Sequence, residues 1–127
     1  MSSAVTENVL VQVESFYLAD QSDPMTDRYV FAYQIQIAND GAQVVQLISR
    51  HWFIEEADGA TREVEGEGVV GEQPVMEPGE SHEYTSGVIL AGPSGKMRGT
   101  YQMRRDDGSY FDAVIPEFDL IMPRTLH

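Results

Sequence analysis

A glycine-spaced segment is the part of the sequence that comes nearest to a ligand-binding motif. Gly66, Gly68 and Gly71 follow the spacing G-x-G-x-x-G. In dinucleotide-binding proteins this spacing opens a helix whose amino-terminal amides hold a pyrophosphate. Here Pro74 and Pro78 follow the glycines and no helical pattern begins. A cofactor-binding loop and an irregular bulged turn therefore both stay open, and the context favours the turn.

One histidine–carboxylate pair has the spacing of metal donors. Glu80 and His82 lie two residues apart, so they would share one face of a strand. A transition-metal site needs three or four ligands, and nothing nearby completes the set. The sequence therefore predicts no resident cofactor and no metal site. Weak Mg²⁺ or Co²⁺ binding at these two side chains is the alternative.

Motifs for catalysis are missing. The chain has no G-x-S-x-G elbow, no H-E-x-x-H, no G-x-x-x-x-G-K-[ST] and no Ca²⁺-loop pattern, and it has no cysteine. We therefore expect no enzymatic activity. If the chain has an anion site, the polar face of 96–104 is a better candidate than the glycine loop, since Lys96, Arg98 and Arg104 are three of the eight basic residues. Ordinary surface pairing explains these three residues equally well.

Composition narrows the class of protein. The 21 acidic residues against 8 basic ones give a formal net charge of −13, which opposes binding to nucleic acid or to an anionic membrane. No apolar run approaches the roughly 20 residues of a spanning helix, and the polar start lacks the features of a signal peptide. We expect a cytoplasmic protein that partners neither nucleic acid nor membrane.

The elements that would position these residues are strands. Residues 31–37 alternate apolar and polar side chains, and similar segments occur at 8–19, 44–56, 62–65, 80–90, 97–104 and 110–122. Turn signals such as Asp40-Gly41, Pro78-Gly79 and Asp107-Gly108 separate them. Seven strands without an amphipathic helix predict a two-sheet antiparallel β-sandwich. It forms one domain over 1–127, with a core from about 5 to 123.

Two predicted strands are irregular. Segment 44–56 carries large apolar side chains on both faces, which predicts either a contact surface or a central strand covered on both sides. In segment 110–122 the apolar positions change from odd to even at Pro116, which predicts a bulge or an edge position.

Several blocks of the sequence together resemble the bacterial ApaG family, over almost the whole chain. They are SRHW at 49–52, EVEGEGVVGEQP at 63–74, PGE at 78–80, YTSG at 84–87, GTYQM at 99–103 and IPEF at 115–118. The resemblance implies an immunoglobulin-like sandwich of the fibronectin type III kind and no established enzymatic activity. It also implies an indirect link to cobalt and magnesium homeostasis, and an interaction role like that presumed for similar domains in eukaryotic F-box proteins and a polymerase-interacting protein.

Three functions follow as hypotheses. The favoured one is a protein-interaction module that presents Arg50, Trp52, Glu65, Glu72 and Gln73 to an unknown protein partner or, as a homodimer, to itself. The second is a binder of divalent cations or pyrophosphate-containing nucleotides through Gly66, Gly68 and Gly71. The third is an undetected nucleotide hydrolase, suggested only by the family's gene neighbourhood with a diadenosine tetraphosphate hydrolase.

Overall fold

The computed structural model describes residues 1–123, and these form strands joined by turns. Two short 3₁₀ turns, Ala19–Gln21 and Pro24–Thr26, lie between the second and third strands. No helix within residues 1–123 is long and apolar enough to cross a membrane. The strands are β1 (Ser2–Thr6), β2 (Val9–Tyr17), β3 (Tyr29–Asn39), β4 (Val45–Glu56), β5 (Thr61–Glu67), β6 (Val75–Met76), β7 (Ser81–Leu90), β8 (Ser94–Arg105) and β9 (Tyr110–Ile121).

The strands form two antiparallel sheets. One has the order β1-β2-β3-β7 and the other the order β5-β4-β8-β9, and β6 pairs with the same edge of β4 as β5 does. The β2-β3-β7 and β4-β8-β9 sets correspond to the A-B-E and C-F-G sheets of immunoglobulin-like domains. The predicted sandwich is confirmed. All seven predicted strands are present, and β1 and β6 are additional.

The core lies between the two sheets. The alternation predicted for β3 is confirmed, since Phe31, Tyr33, Ile35 and Ile37 are all buried there. The chain's single tryptophan, Trp52, lies in the middle of this core. Its ring centroid is 5.3 Å from that of Tyr33, 6.3 Å from that of Tyr101 and 6.0 Å from that of Phe118.

A β-bulge explains the two apolar faces predicted for residues 44–56. The pairing of β4 with β8 shifts register between Leu47 and Ser49, so Ile48 is the extra residue. Such an insertion exchanges the faces of all residues beyond it. Val45 and Leu47 before the bulge therefore point to the same core as Trp52 and Ile54 after it. The strand has one buried face, and the expectation of a second apolar surface was wrong.

The predicted irregularity at Pro116 is also confirmed. The pairing of β8 with β9 shifts register at this point, and β9 is the edge strand of its sheet. This edge is covered by the other sheet, since the Val114 N–H donates to Thr6 Oγ1 at 3.0 Å and Ser15 Oγ donates to the Asp119 carbonyl at 2.9 Å. Residues 1–123 leave the opposite side of the sandwich, bordered by the edge strands β5 and β7, more open.

Candidate functional site

The glycine motif forms a tight turn between β5 and β6. Val69 and Glu72 exchange both backbone hydrogen bonds, at 2.8 and 3.0 Å, and Val70 and Gly71 between them have φ of 47° and 79°. Positive φ at both central positions is the geometry of a type I′ hairpin turn. Gly68, at φ 61°, lies so close to the Glu72 carbonyl that a Cβ would overlap it. The turn that the residue context favours is therefore present, but as a regular type I′ turn rather than an irregular, bulged one.

Arg50 holds this loop from within the fold. Its Nη1 donates to the carbonyls of Glu67, at 2.9 Å, and Gly68, at 3.0 Å. Gly66 lies opposite Arg50 on β5, and a Cβ at residue 66 would stand 2.8 Å from the guanidinium nitrogens. Two glycines of the motif thus allow close approach, one to a side chain and one to a backbone carbonyl.

The loop's amides are largely occupied. The N–H groups of Val69 and Glu72 close the turn, and the Gly68 N–H donates to the carbonyl of Ile48 at 2.8 Å. A phosphate-binding loop needs several amides directed at the anion. The motif residues 66, 68 and 71 instead serve the turn and its contact with β4, and a nucleotide at this loop stays a prediction.

Gln73 fastens the loop to the bulge in β4. Its Nε2 donates to the Ile48 carbonyl at 2.9 Å, and its own carbonyl accepts from Gln46 Nε2 at 3.2 Å. The carbonyl that the bulge turns away from β8 therefore receives two hydrogen bonds, one from Gly68 and one from Gln73. Gln73, predicted as an interaction residue, thus hydrogen-bonds to β4 of its own chain.

The proposed metal donors Glu80 and His82 have different partners. Glu80 precedes β7, and its Oε1 accepts from the Glu77 N–H at 2.7 Å within a turn. His82 Nε2 lies 3.7 Å from Oε2 of Glu72, so it links β7 to the glycine loop. Across residues 1–123 no three histidine or carboxylate side chains are arranged to hold a metal ion. The structure pairs His82 with a different predicted site residue, Glu72.

Trp52 cannot present its ring to a partner in this structure. Only 2% of the residue is exposed, and three aromatic rings surround it. The prediction that Trp52 is a contact residue was wrong, because the bulge at Ile48 turns residue 52 to the core face. Arg50, two residues before Trp52 and also after the bulge, lies on the same core face. It is part-buried and lines the open side of the sandwich.

The open side contains a crevice of about 540 Å³ between the two sheets, which we call the arginine crevice. Its floor is mostly apolar, with Trp52 among the buried residues below it, and its walls carry Tyr33 and Ser86 from the first sheet. Three arginines from three different parts of the chain converge on it: Arg28, Arg50 and Arg62. An apolar floor with a few polar groups is typical of a binding pocket.

These three arginines bind backbone carbonyls rather than carboxylates. Arg28 Nε donates to Gln21 at 3.2 Å and Arg62 Nη2 donates to Ile89 at 2.7 Å, while Arg50 holds the loop. In the described part of the chain none of the three has a carboxylate within 4.0 Å. Although the chain has 21 acidic side chains, none within residues 1–123 pairs with the three positive charges in this crevice.

The basic residues of 96–104 are placed differently. Lys96 lies 3.3 Å from Glu117, and Arg98 lies 3.6 Å from Glu55 with its guanidinium over the ring of Phe53. Their charges are paired on the outer face of the second sheet. For Lys96 and Arg98 the structure therefore contains the surface pairing that was the alternative to an anion site, and an anion at Arg104 stays a prediction.

Buried tyrosine hydroxyls lie next to the crevice. Burial raises the pKa of Tyr33 above its ordinary value of 10, and a hydrogen bond with Ser86 and the charge of Arg50 partly oppose this. Tyr84 and Tyr101 share a hydrogen bond between their hydroxyls, and burial raises the pKa of both. All three phenols are therefore neutral donors and acceptors under physiological conditions.

Glu65 faces away from the arginine crevice. It lies on the outer face of β5, 3.3 Å from Nε2 of His51, and Glu63 on the same face lies 3.5 Å from that nitrogen. Glu65 and His51, together with Ser49, Thr100 and Gln102, border a shallow, polar depression of about 460 Å³. The predicted surface residues thus divide between two faces, and Arg28 and Arg62 were not predicted at all.

Known proteins share both the sequence and this fold. The family model described as the ApaG domain matches residues 19–105. The chain belongs to the ApaG family. It is 55% identical over 127 residues to Protein ApaG of Thiobacillus denitrificans, with all of both chains covered, and 51% identical over 125 residues to that of Pseudomonas aeruginosa, covering 98% of this chain and 99% of the other.

A solved ApaG-like structure agrees with the architecture. The crystal structure of an ApaA protein from Bordetella pertussis superposes with a TM-score of 0.90 at 47% identity, covering 96% of this chain and all of the other. The family resemblance predicted from the sequence blocks is confirmed. The residues matched by the ApaG domain include the glycine loop and all three arginines of the crevice.

Proposed function

We propose that the protein is a non-catalytic binding module that engages a protein partner across its open side, with the arginine crevice at the centre of the contact. The observation that carries the proposal is the convergence of Arg28, Arg50 and Arg62 without a carboxylate partner among residues 1–123. Arginine is enriched at the centres of protein interfaces, where its planar group forms several hydrogen bonds at once.

The border of the crevice supports a protein as the partner. Val64 on β5 and Ile89 on β7 are 38% and 46% exposed beside the arginines. Apolar side chains next to a cationic centre favour a ligand that offers both kinds of surface, as a protein does. An indirect role in cobalt or magnesium homeostasis would, on this proposal, pass through the bound partner.

Quantitative affinity capture with matched arginine variants tests the proposal. The immobilised wild-type protein, the Arg28→Gln/Arg62→Gln variant and the control Arg104→Gln are incubated with the same bacterial extract. Arg104 is an exposed arginine on β8, away from the crevice, so its removal changes the net charge but leaves the crevice intact. We expect the wild type and the control to retain the same partner. The crevice variant should retain about tenfold less of it, which corresponds to a loss of about 1.4 kcal/mol in binding free energy.

Two outcomes would contradict the proposal. One is a set of retained proteins that is the same for all three baits. The other is equal loss by the crevice variant and by Arg104→Gln, because that would show a response to overall charge rather than to the crevice.

A further inference from the structure

The free edge of β7 offers unpaired backbone groups beside the crevice. Arg62 Nη2 donates to the Ile89 carbonyl and the Ala91 N–H donates to Glu56 Oε1, so the odd-numbered residues here direct their backbone away from β3. In an antiparallel ladder every second residue does so. Within residues 1–123 no hydrogen bond from outside the sheet reaches the backbone of Glu83, Thr85 or Gly87. This stretch is a template for one more strand.

The guanidinium groups next to this edge have unused donors. Arg50 uses only Nη1, Arg62 only Nη2 and Arg28 only Nε for hydrogen bonds within residues 1–123. A guanidinium carries five N–H groups in a planar fork that matches a carboxylate. Each arginine, while fixed at one nitrogen by a carbonyl, can therefore still bind an acidic group.

The charge balance decides what kind of chain fits. A carboxylate beside three unneutralised arginines gains charge-assisted hydrogen bonds. A second copy of this protein would bring another −13 charges, which opposes self-association. A distinct partner with a short acidic segment can bring far fewer negative charges, so this repulsion is smaller for it than for a second copy.

We propose that the arginine crevice binds an extended acidic segment of the partner, whose backbone adds to β7 at Glu83–Gly87 and whose carboxylate side chains contact Arg50 and Arg62. Alternate side chains of an added strand point to the same side. A segment that alternates carboxylate and apolar residues therefore places its carboxylates in the crevice. The inference rests on the proposed function and specifies the chemistry of its ligand.

The probe is a capped six-residue peptide that alternates glutamate and valine, titrated into the ¹⁵N-labelled protein. The matched peptide with glutamine in place of glutamate, glutarate and inorganic phosphate are titrated separately. With the glutamate peptide at millimolar concentrations or below, we expect saturable amide shifts at residues 83–89. Added salt should weaken this binding, and the glutamine peptide should cause no shifts of this size. Strand addition would be overturned if glutarate or phosphate bound as tightly as the glutamate peptide without shifting the amides of β7.

Two variants separate the two parts of the contact. Arg62→Gln removes one carboxylate donor, and Thr85→Pro removes an N–H that faces away from β3, a position where an edge strand tolerates proline. We expect each to weaken the glutamate peptide about fivefold or more. Arg104→Gln and Ser81→Pro, the latter at the start of β7, are the matched controls and should bind as the wild type does.

The failure of this inference differs from the failure of the proposed function. If the captured partner depends on Arg28 and Arg62 but the glutamate peptide causes no shift at residues 83–89, the binding module stands and the acidic strand is wrong. If the peptide drives the labelled protein into a dimer, or if Thr85→Pro and Arg62→Gln bind it unchanged, the inference is also overturned.

Discussion

Arg50 and Gly66 face each other across the β4–β5 pair, and the arginine's guanidinium occupies the space that a side chain at residue 66 would need. The same guanidinium reaches the carbonyls of Glu67 and Gly68. The glycine motif therefore accommodates the Arg50 side chain of the same protein. Because Gly66 contacts this side chain and Gly68 contacts backbone, substitutions at these two glycines should differ in their cost to stability.

Gly66→Ala should cost little stability, whereas Gly68→Ala should cost much. At Gly66 the three atoms nearest to the added methyl all belong to the flexible end of Arg50, so we expect a loss of about 1 kcal/mol or less in the free energy of unfolding. At Gly68 it overlaps the backbone of Glu72 at a positive φ, and we expect a loss of about 3 kcal/mol. Urea unfolding measures both. Equal losses for the two variants would contradict the conclusion that only a flexible side chain, that of Arg50, must move for a methyl group at residue 66.

Val70→Asn should stabilise the protein. Val70 has φ 47°, which a β-branched residue adopts only with strain, and it is 65% exposed, so little packing is lost. The change creates Asn-Gly, the preferred pair for this turn. We expect a gain of about 1 kcal/mol and a rise in Tm of about 3 °C by thermal unfolding. Val75→Asn, at an exposed position on β6, is the control and should give no gain.

The sandwich could be predicted because its strands carry their own signals. In β3, apolar residues alternate with Gln34 and Gln36, and such a pattern depends only on neighbours in the sequence. β1 and β6 were missed because they are short, with five and two residues, and have little alternation to detect. Their pairing depends on strands formed elsewhere in the chain.

The site was only partly predictable, for two physical reasons. A single extra residue at Ile48 exchanges the faces of β4 beyond it, and no residue type marks that position, so Trp52 was placed on the surface. The arginine crevice depends on packing between the sheets, which brings together residues far apart in the chain. One partial signal lies in β5. Arg62 and Gly66 are four residues apart, so they share a strand face, and the pairing of Gly66 with Arg50 then places both arginines on the same side of the sheet.

Trp52→Phe and Trp52→Ala should act as core substitutions. We expect a loss of about 3 to 5 kcal/mol in the free energy of unfolding for alanine and a smaller loss for phenylalanine, which keeps an aromatic ring against Tyr33 and Phe118. Chemical denaturation followed by far-UV circular dichroism measures both changes. A folded alanine variant of wild-type stability would show that the ring is not packed in the core.

Tyr84→Phe should be more costly than the double change Tyr84→Phe/Tyr101→Phe. The single variant leaves the fully buried hydroxyl of Tyr101 without its partner, which costs about 1 to 3 kcal/mol. The double variant removes both polar groups, so part of that loss should be recovered. A double-mutant cycle from urea unfolding measures the coupling. Strictly additive losses would contradict a shared hydrogen bond.

Alkaline pH should unfold the protein through its buried tyrosines. Burial raises the pKa of Tyr33, Tyr84 and Tyr101, so the unfolded chain releases these protons at a lower pH than the folded chain does. The stability they contribute is fully present below about pH 10, the pKa of an unfolded tyrosine, and is lost as the pH rises above it. The sequence has one lysine and no cysteine, so few other groups titrate in that range.

Absorbance at 295 nm, which reports tyrosinate, should therefore rise for these three phenols together with the loss of β-sheet circular dichroism. The free energy of unfolding should stay constant up to about pH 10 with respect to these groups and should fall steadily as the pH rises above it. Complete ionisation of all six tyrosines while the circular dichroism stays native would contradict the buried positions of these hydroxyls, because a tyrosinate at Tyr101 would stand without solvent among apolar side chains.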